Sequence, residues 1–101
     1  MSTAYLRQKL AGAATDNGDP VLTIETDGGL IRVYSPEPSE YRVNADVVEK
    51  ARDLGADTIA YANTWCGVTL EGASHGRAIG IDIMPFGEFF QTLRRQGVAV
   101  A

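Results

Sequence analysis

Residues 21–34, VLTIETDGGLIRVY, place two β-rich runs on either side of Asp27-Gly28-Gly29. Aspartate and glycine tolerate the positive φ angles that a tight chain reversal needs. The pattern therefore predicts a β-hairpin, so any sheet in this chain contains at least one antiparallel pair. The next segment, SPEPSE (35–40), carries two prolines and is expected to form a loop or an edge segment before Tyr41–Val43.

The segment before the hairpin has an apolar spacing close to that of a helix. Within residues 4–14, Tyr5, Leu6 and Leu10 predict a short amphipathic helix. Residues 15–20, TDNGDP, collect turn-forming types, and Pro20 cannot continue a helix, so a loop is expected there.

A second helix is predicted from Asn44, a typical N-cap, to Gly55, a typical residue just past a helix end. Asp46 lies in the first turn, where the helix dipole favours an anion, and its spacing to Lys50 predicts an ion pair. Residues 58–62, TIAYA, then read as a short buried strand, so this part of the chain starts a crossover unit.

Residues 68–93 allow two interpretations. In the first, Thr69 caps a helix that runs to residue 78, residues 79–84 form a parallel strand, and an apolar stripe beginning at Phe86 packs a last helix. In the second, residues 68–71 and 77–84 form a hairpin. Gly72 and Gly76 each cost a helix about 1 kcal/mol relative to alanine, which favours the hairpin. We prefer the helix because a βαβ rhythm accounts for every flanking element.

These elements together predict an α/β (or α+β) fold in a single domain spanning residues 1–101. It has a small mixed sheet with an N-terminal β-hairpin, a βαβ-like half and a C-terminal helix. A chain of 101 residues that is 45% hydrophobic suits one such domain. No apolar run approaches the ~18 residues that would span a bilayer, and the start lacks the pattern of a signal peptide. With a single cysteine, the default expectation is a cytoplasmic protein.

The net charge of −4 is unevenly distributed, because residues 16–57 hold ten acidic and only four basic side chains. Duplex nucleic acid is repelled by such a field, since affinity for phosphates comes mainly from lysine and arginine. Direct binding of nucleic acid is therefore not expected, and a basic protein partner fits the charge better. The acidic surface also has a simpler interpretation, that it keeps the protein soluble.

The order of predicted elements is similar to that of the restriction-endonuclease-like, or PD-(D/E)xK, superfamily, particularly its Mrr-type nuclease domains. The local likeness is in residues 67–93, GVTLEGASHGRAIGIDIMPFGEFFQTL, which resemble the helix, strand and short helix that end those domains. The resemblance implies a nuclease-like scaffold over most of the chain from Leu22 onwards. Endings of this kind also occur in other α/β folds.

The resemblance also implies where a nuclease site would lie. Such enzymes bind Mg²⁺ with an aspartate at the end of one strand and an acidic residue on the next, followed two positions later by a lysine. The matching positions here are Asp27 and Glu40-Tyr41-Arg42. Arg42 replaces the lysine and stays protonated, so it suits phosphate binding and not base catalysis. Asp27 also fits a structural role in its turn.

Two other groups of residues are candidates for function. Cys66 and His75 would act as nucleophile and base in a thiol enzyme, although helical spacing over residues 69–78 would hold them apart. Asn63, Thr64 and Trp65 follow a predicted strand, and Trp65 with Tyr61 or Tyr41 would stack on a base or anchor a protein. Trp65 would alternatively plug the end of the core.

The leading functional hypothesis is a small acidic, non-enzymatic interaction protein without a cofactor. It would be an inhibitor or regulator, such as phages and mobile elements encode, and would act on a nucleic-acid-processing complex. The expected contact residues are Glu37, Glu40, Tyr41, Glu49, Asn63 and Trp65. One alternative is a Mg²⁺-dependent nuclease that uses Asp27, Glu40 and Arg42, working as a homodimer because one domain has few basic residues. A second alternative is a thiol enzyme that uses Cys66.

Overall fold

The computed structural model describes residues 2–10, 14–15 and 20–100, which form four helices and seven strands. The helices are α1 (Ser2–Lys9), α2 (Ala45–Asp53), α3 (Leu70–Ile79) and α4 (Phe86–Arg95). The strands are β1 (Ala14–Thr15), β2 (Val21–Thr26), β3 (Gly29–Tyr34), β4 (Arg42–Val43), β5 (Thr58–Tyr61), β6 (Gly67–Val68) and β7 (Asp82–Pro85). The predicted α/β class with a mixed sheet is therefore confirmed.

The main sheet has five strands in the order β1-β2-β3-β5-β7. The β1–β2 and β2–β3 pairs are antiparallel, whereas the β3–β5 and β5–β7 pairs are parallel. Thr26 pairs with Gly29 at the tip of the predicted hairpin, which is confirmed. The tip rests on the end of α4, where the Asp27 amide donates to the carbonyl of Gln96 at 2.9 Å. Strands β4 and β6 form a separate two-stranded parallel sheet.

Buried side chains alternate along the strands and so divide the core into two layers. Val33 and Ala60 belong to a cluster that also contains the buried residues of α1 and α4. Their neighbours Tyr34 and Ile59 belong to a second cluster with the buried residues of α2. Helices α1 and α4 therefore cover one face of the sheet and α2 covers the other, which gives a helix–sheet–helix arrangement.

Local signals fix both ends of α2 and the start of α3. The Asn44 side chain accepts a hydrogen bond from the Val47 amide at 3.1 Å, and Gly55 follows α2 with a φ of +88°. The Thr69 hydroxyl accepts from the Gly72 amide at 2.9 Å. The helical interpretation of residues 69–78 is therefore correct, and the hairpin interpretation of residues 68–84 is wrong.

The two glycines that weighed against α3 allow it to pack closely. A Cβ atom on Gly72 would lie 2.1 Å from the carbonyl oxygen of Val43, at the end of β4. A Cβ on Gly76 would lie 2.8 Å from the Ile83 side chain. Tertiary contact with the neighbouring backbone thus offsets the low helix propensity of glycine.

Two local expectations need correction. Helix α1 ends at Lys9, and Ala14–Thr15 pairs with β2, so the helix does not reach residue 14. The predicted helical residues 11–13 and the predicted loop residues 16–19 lie outside the described residues. Strand β7 begins at Asp82 and not at residue 79, because Gly80 ends α3 in the left-handed conformation with a φ of +80°. Among the described residues, no helix is both long enough and apolar enough to cross a membrane.

Candidate functional site

An open groove of about 760 Å³ lies where the three parallel strands of the main sheet end. Its wall residues come from the loop after β3, the turn after β5 and the first residue of α4 after β7, with Tyr5 of α1 added. Open α/β sheets place ligands at the carboxyl ends of their strands because loops from several strands converge there. We call this feature the aromatic groove.

Four aromatic side chains give the groove its apolar lining: Tyr5, Tyr41, Trp65 and Phe86. Tyr5 stacks on Phe86 with ring centroids 5.3 Å apart, and Phe86 in turn packs against the buried Phe90 at 5.9 Å. This side of the groove is therefore continuous with the core. Tyr41 is 57% exposed and Trp65 is 39% exposed, so the interpretation of Trp65 as a buried plug is wrong.

The turn after β5 contributes polar groups beside these rings. The amides of Trp65 and Cys66 both donate to the Ala62 carbonyl, at 3.2 and 3.0 Å, which closes the turn. Asn63 and Thr64 lie exposed at its tip and line the groove. The groove thus combines flat apolar faces with an amide and a hydroxyl that can form hydrogen bonds.

Hydrogen bonds join the turn after β5 to the loop after β3. The Gly67 amide donates to the Tyr41 carbonyl at 3.1 Å. The Cys66 thiol lies 3.5 Å from the Glu40 carbonyl and donates to it. Tyr41 and Trp65, which stand in these two segments, are therefore held at a fixed separation before any ligand arrives.

Glu40 anchors the loop that carries Tyr41. Its carboxylate accepts hydrogen bonds from the hydroxyl of Tyr34, from the Glu37 amide at 2.9 Å and from the Lys50 ammonium at 2.9 Å. Lys50 therefore pairs with Glu40 and not, as its spacing predicted, with Asp46.

The protonation behaviour of these three groups agrees with a structural role. Burial and the hydrogen bond to Glu40 raise the pKa of Tyr34 to about 12. Burial alone would raise the pKa of Glu40, but its hydrogen bonds outweigh burial and hold that pKa below its usual value. Hydrogen bonding to Tyr34 and Glu40 raises the pKa of Lys50. All three groups keep their charge states across the neutral range.

The structure does not bring the implied nuclease residues together. Asp27 lies in the turn before β3, whereas Glu40 accepts a hydrogen bond from the Tyr34 side chain at the far end of the same strand. The first and last residues of β3 are five residue steps, or about 17 Å, apart, so the two carboxylates cannot share a metal ion. Arg42 lies over the Tyr41 ring, with its guanidinium carbon 5.4 Å from the centroid. Among the described residues, no three His, Cys, Asp or Glu side chains are grouped to hold a metal ion.

Cys66 and His75 likewise have separate partners. Cys66 is buried, and burial raises the pKa of its thiol. Strand β6 separates Cys66 from α3. The Nε2 atom of His75 lies 2.6 Å from a carboxylate oxygen of Glu49, which links α3 to α2.

The six expected contact residues divide into three groups. Tyr41, Asn63 and Trp65 line the aromatic groove. Glu40 and Glu49 are instead engaged within the protein, Glu49 through Arg52 at 3.1 Å as well as His75. Glu37 is half-buried and adjoins Pro38, another groove residue.

Sequence reasoning missed the groove residues that come from other segments, Tyr5, Pro38 and Phe86. Tyr5 and Phe86 were assigned to the apolar faces of their helices, and Pro38 to a loop. Their separation of 33 to 81 residues along the chain gives no local signal that they meet. Phe86 comes just after the predicted strand of residues 79–84, so the rule that strand ends converge would have suggested it as a groove residue.

The fold and the site define the class: a mixed α/β domain with an open aromatic groove at the carboxyl ends of its parallel strands. Comparison of the chain with protein-family models, with curated proteins and with solved structures found no match in any of the three.

Proposed function

We propose that this chain is a non-enzymatic binding protein that holds a partner protein in the aromatic groove. The observation that supports this most strongly is the convergence of four aromatic side chains from four separate segments on one open surface. Tyrosine and tryptophan dominate the binding energy of protein interfaces because they bury a large area at a small cost in side-chain entropy. The hydrogen bonds between the groove's walls reduce that cost further.

The chemistry of the lining favours binding over catalysis. Its described residues are aromatic side chains, a proline, an alanine, an asparagine and a threonine. Apart from the two tyrosines, none of these residue types acts as a general acid or base. The nearby Glu40 and Cys66 face other protein groups, as described above.

Charge indicates the kind of partner. The chain carries a net charge of −4, and a basic protein surface would approach it faster than a neutral one. A basic nucleic-acid-binding protein is the partner class that fits this charge, and the protein would then act as its inhibitor or regulator. A restriction-endonuclease-like scaffold remains part of this proposal and is supported only by the resemblance of residues 67–93.

Affinity capture with groove variants tests the proposal. The bait is the full chain, compared with Trp65→Ala and Tyr41→Ala, and captured proteins are quantified by mass spectrometry. Leu70→Ala is the matched control, because Leu70 is a 91% exposed apolar residue outside the groove. A partner identified in this way is then purified and titrated against all four proteins.

We expect each groove variant to weaken the partner's affinity by about tenfold or more, as for a typical interface hot spot, while Leu70→Ala changes it less than about twofold. Higher salt should slow association if the partner is basic. A partner that binds the groove variants as tightly as the original chain would contradict the proposal, as would turnover of a substrate by the purified protein.

A further inference from the structure

We infer that the aromatic groove binds a basic, proline-rich segment in the polyproline II conformation. This inference rests on the proposed function and specifies the segment that the partner presents. A polyproline II segment has no internal hydrogen bonds and exposes both its proline rings and its carbonyl oxygens. Aromatic-lined grooves recognise such segments because flat rings contact the prolines and polar groups bind the carbonyls.

The groove offers both kinds of contact. Tyr5, Tyr41 and Trp65 are each between 39% and 57% exposed, so their ring surfaces remain accessible while they line the groove. The two tyrosine hydroxyls, the indole N–H and the Asn63 amide can donate hydrogen bonds from the same surface. Phe86, which stacks on Tyr5, adds apolar area to the same lining.

The position of the groove excludes another common mode of peptide binding. Strand addition needs the free backbone edge of a sheet, whereas this groove lies at the ends of β3, β5 and β7. A helix is about 10–12 Å across with its side chains, binds through apolar anchors at helical spacing, and has its backbone carbonyls already bonded within the helix. The polar-ended aromatic lining suits an extended chain with exposed carbonyls better.

Two acidic residues beside the groove, which we call the rim carboxylates, favour basic residues in the bound segment. Glu37 adjoins the groove residue Pro38. Burial and nearby charges, that of Glu88 among them, raise the pKa of Tyr61, which places Glu88 close to this neighbour of the groove residue Ala62. Neither carboxylate forms an ion pair within the part of the chain that the structure describes. Two cations, Lys9 and Arg42, lie over the rings of Tyr5 and Tyr41 at 5.8 and 5.4 Å.

These rim charges also bear on the choice between a peptide and a single-stranded nucleic acid. Bases stack on exposed aromatic rings, but each nucleotide also brings a phosphate. Those phosphates would meet the rim carboxylates and a net charge of −4. Arginine or lysine beside the prolines would instead pair with the same carboxylates, so charge complementarity selects the basic peptide.

The single tryptophan of the chain makes the test specific to this site, since Trp65 lines the groove. Its fluorescence is followed while the full chain is titrated with a pool of 12-residue peptides. In the pool, prolines are fixed at two positions three residues apart, arginines flank them and the other positions are mixed. Three further ligands are tested: a matched pool with alanine in place of proline, a matched pool with glutamate in place of arginine, and a 12-nucleotide oligo(dT).

We expect a saturable change with the proline–arginine pool, and binding about tenfold weaker or more when alanine replaces proline. The glutamate pool should also bind more weakly, by a factor that shrinks at high salt. Tyr41→Ala should weaken binding of the first pool by about tenfold, and Leu70→Ala should leave it unchanged. Circular dichroism and thermal melts of both variants establish that they fold, which is expected because both side chains are exposed.

Three results would overturn the inference. Equal binding of the proline and alanine pools, or no saturable change with the proline–arginine pool at millimolar concentration, would remove the polyproline II segment. If captured partners still depended on Trp65 and Tyr41 in that case, the proposed function would stand. Tighter binding of oligo(dT), lost in Tyr41→Ala, would overturn both.

Discussion

Replacing Gly72 with alanine tests how closely α3 packs against the end of β4. The added Cβ would lie 2.1 Å from the carbonyl oxygen of Val43, 2.9 Å from its carbonyl carbon and 3.1 Å from the Cα of Asn44. Ordinary van der Waals contact begins near 3.4 Å, so α3 must move away by more than about 1 Å. The obstacle is backbone, which cannot move aside by a rotamer change.

The size of the effect follows from two opposing terms. Forcing extra atoms into a packed site typically costs about 1–3 kcal/mol, and a backbone obstacle places this site at or above the upper end. Alanine regains about 1 kcal/mol of helix propensity. We therefore expect a net loss of about 2 kcal/mol in the free energy of unfolding, which for a domain of this size lowers Tm by roughly 8–16 °C.

Gly87→Ala is the matched control: Gly87 also lies in a helix, but beyond its chain neighbours and its own helix backbone no atom of the described residues lies within 4 Å of its added Cβ. This variant should be unchanged or more stable by up to about 1 kcal/mol. The assay is urea unfolding with a thermal melt for each variant. If Gly72→Ala were as stable as Gly87→Ala, the close approach of α3 to β4 would be refuted.

Three further predictions concern other parts of the protein. Glu40→Gln should lose about 1–2 kcal/mol of unfolding free energy at pH 7. Because the folded-state pKa of Glu40 lies below its usual 4.5, the difference in stability between variant and wild type should close as pH falls below 4.5. Urea unfolding at pH 7 and pH 3 checks this, and a pH-independent difference would contradict it. Gly80→Ala should lower stability by about 1 kcal/mol because Gly80 has a φ of +80°, and an unchanged Tm would contradict the left-handed cap. The Cys66 thiol should react with iodoacetamide more slowly than a free cysteine peptide at pH 7.5, since burial raises its pKa, and faster alkylation would revive the thiol-enzyme hypothesis.

The sequence by itself determined the elements whose signals are local. Asp27-Gly28-Gly29 predicted the reversal between β2 and β3, and the Asn44 and Thr69 caps predicted the starts of α2 and α3. Each of these features depends on hydrogen bonds or φ angles within about four residues, so residue type is enough to specify it.

Only the tertiary structure decided which distant residues meet. The spacing of Lys50 favoured Asp46, but the folded loop brings Glu40 to it across ten positions. Gly72 counted against a helix in the sequence, and the carbonyl of Val43 shows why glycine is required there. The aromatic groove has the same origin, because its rings come from segments that only the parallel sheet brings together. Local propensity is a property of a few neighbouring residues, whereas a site depends on the path of the whole chain.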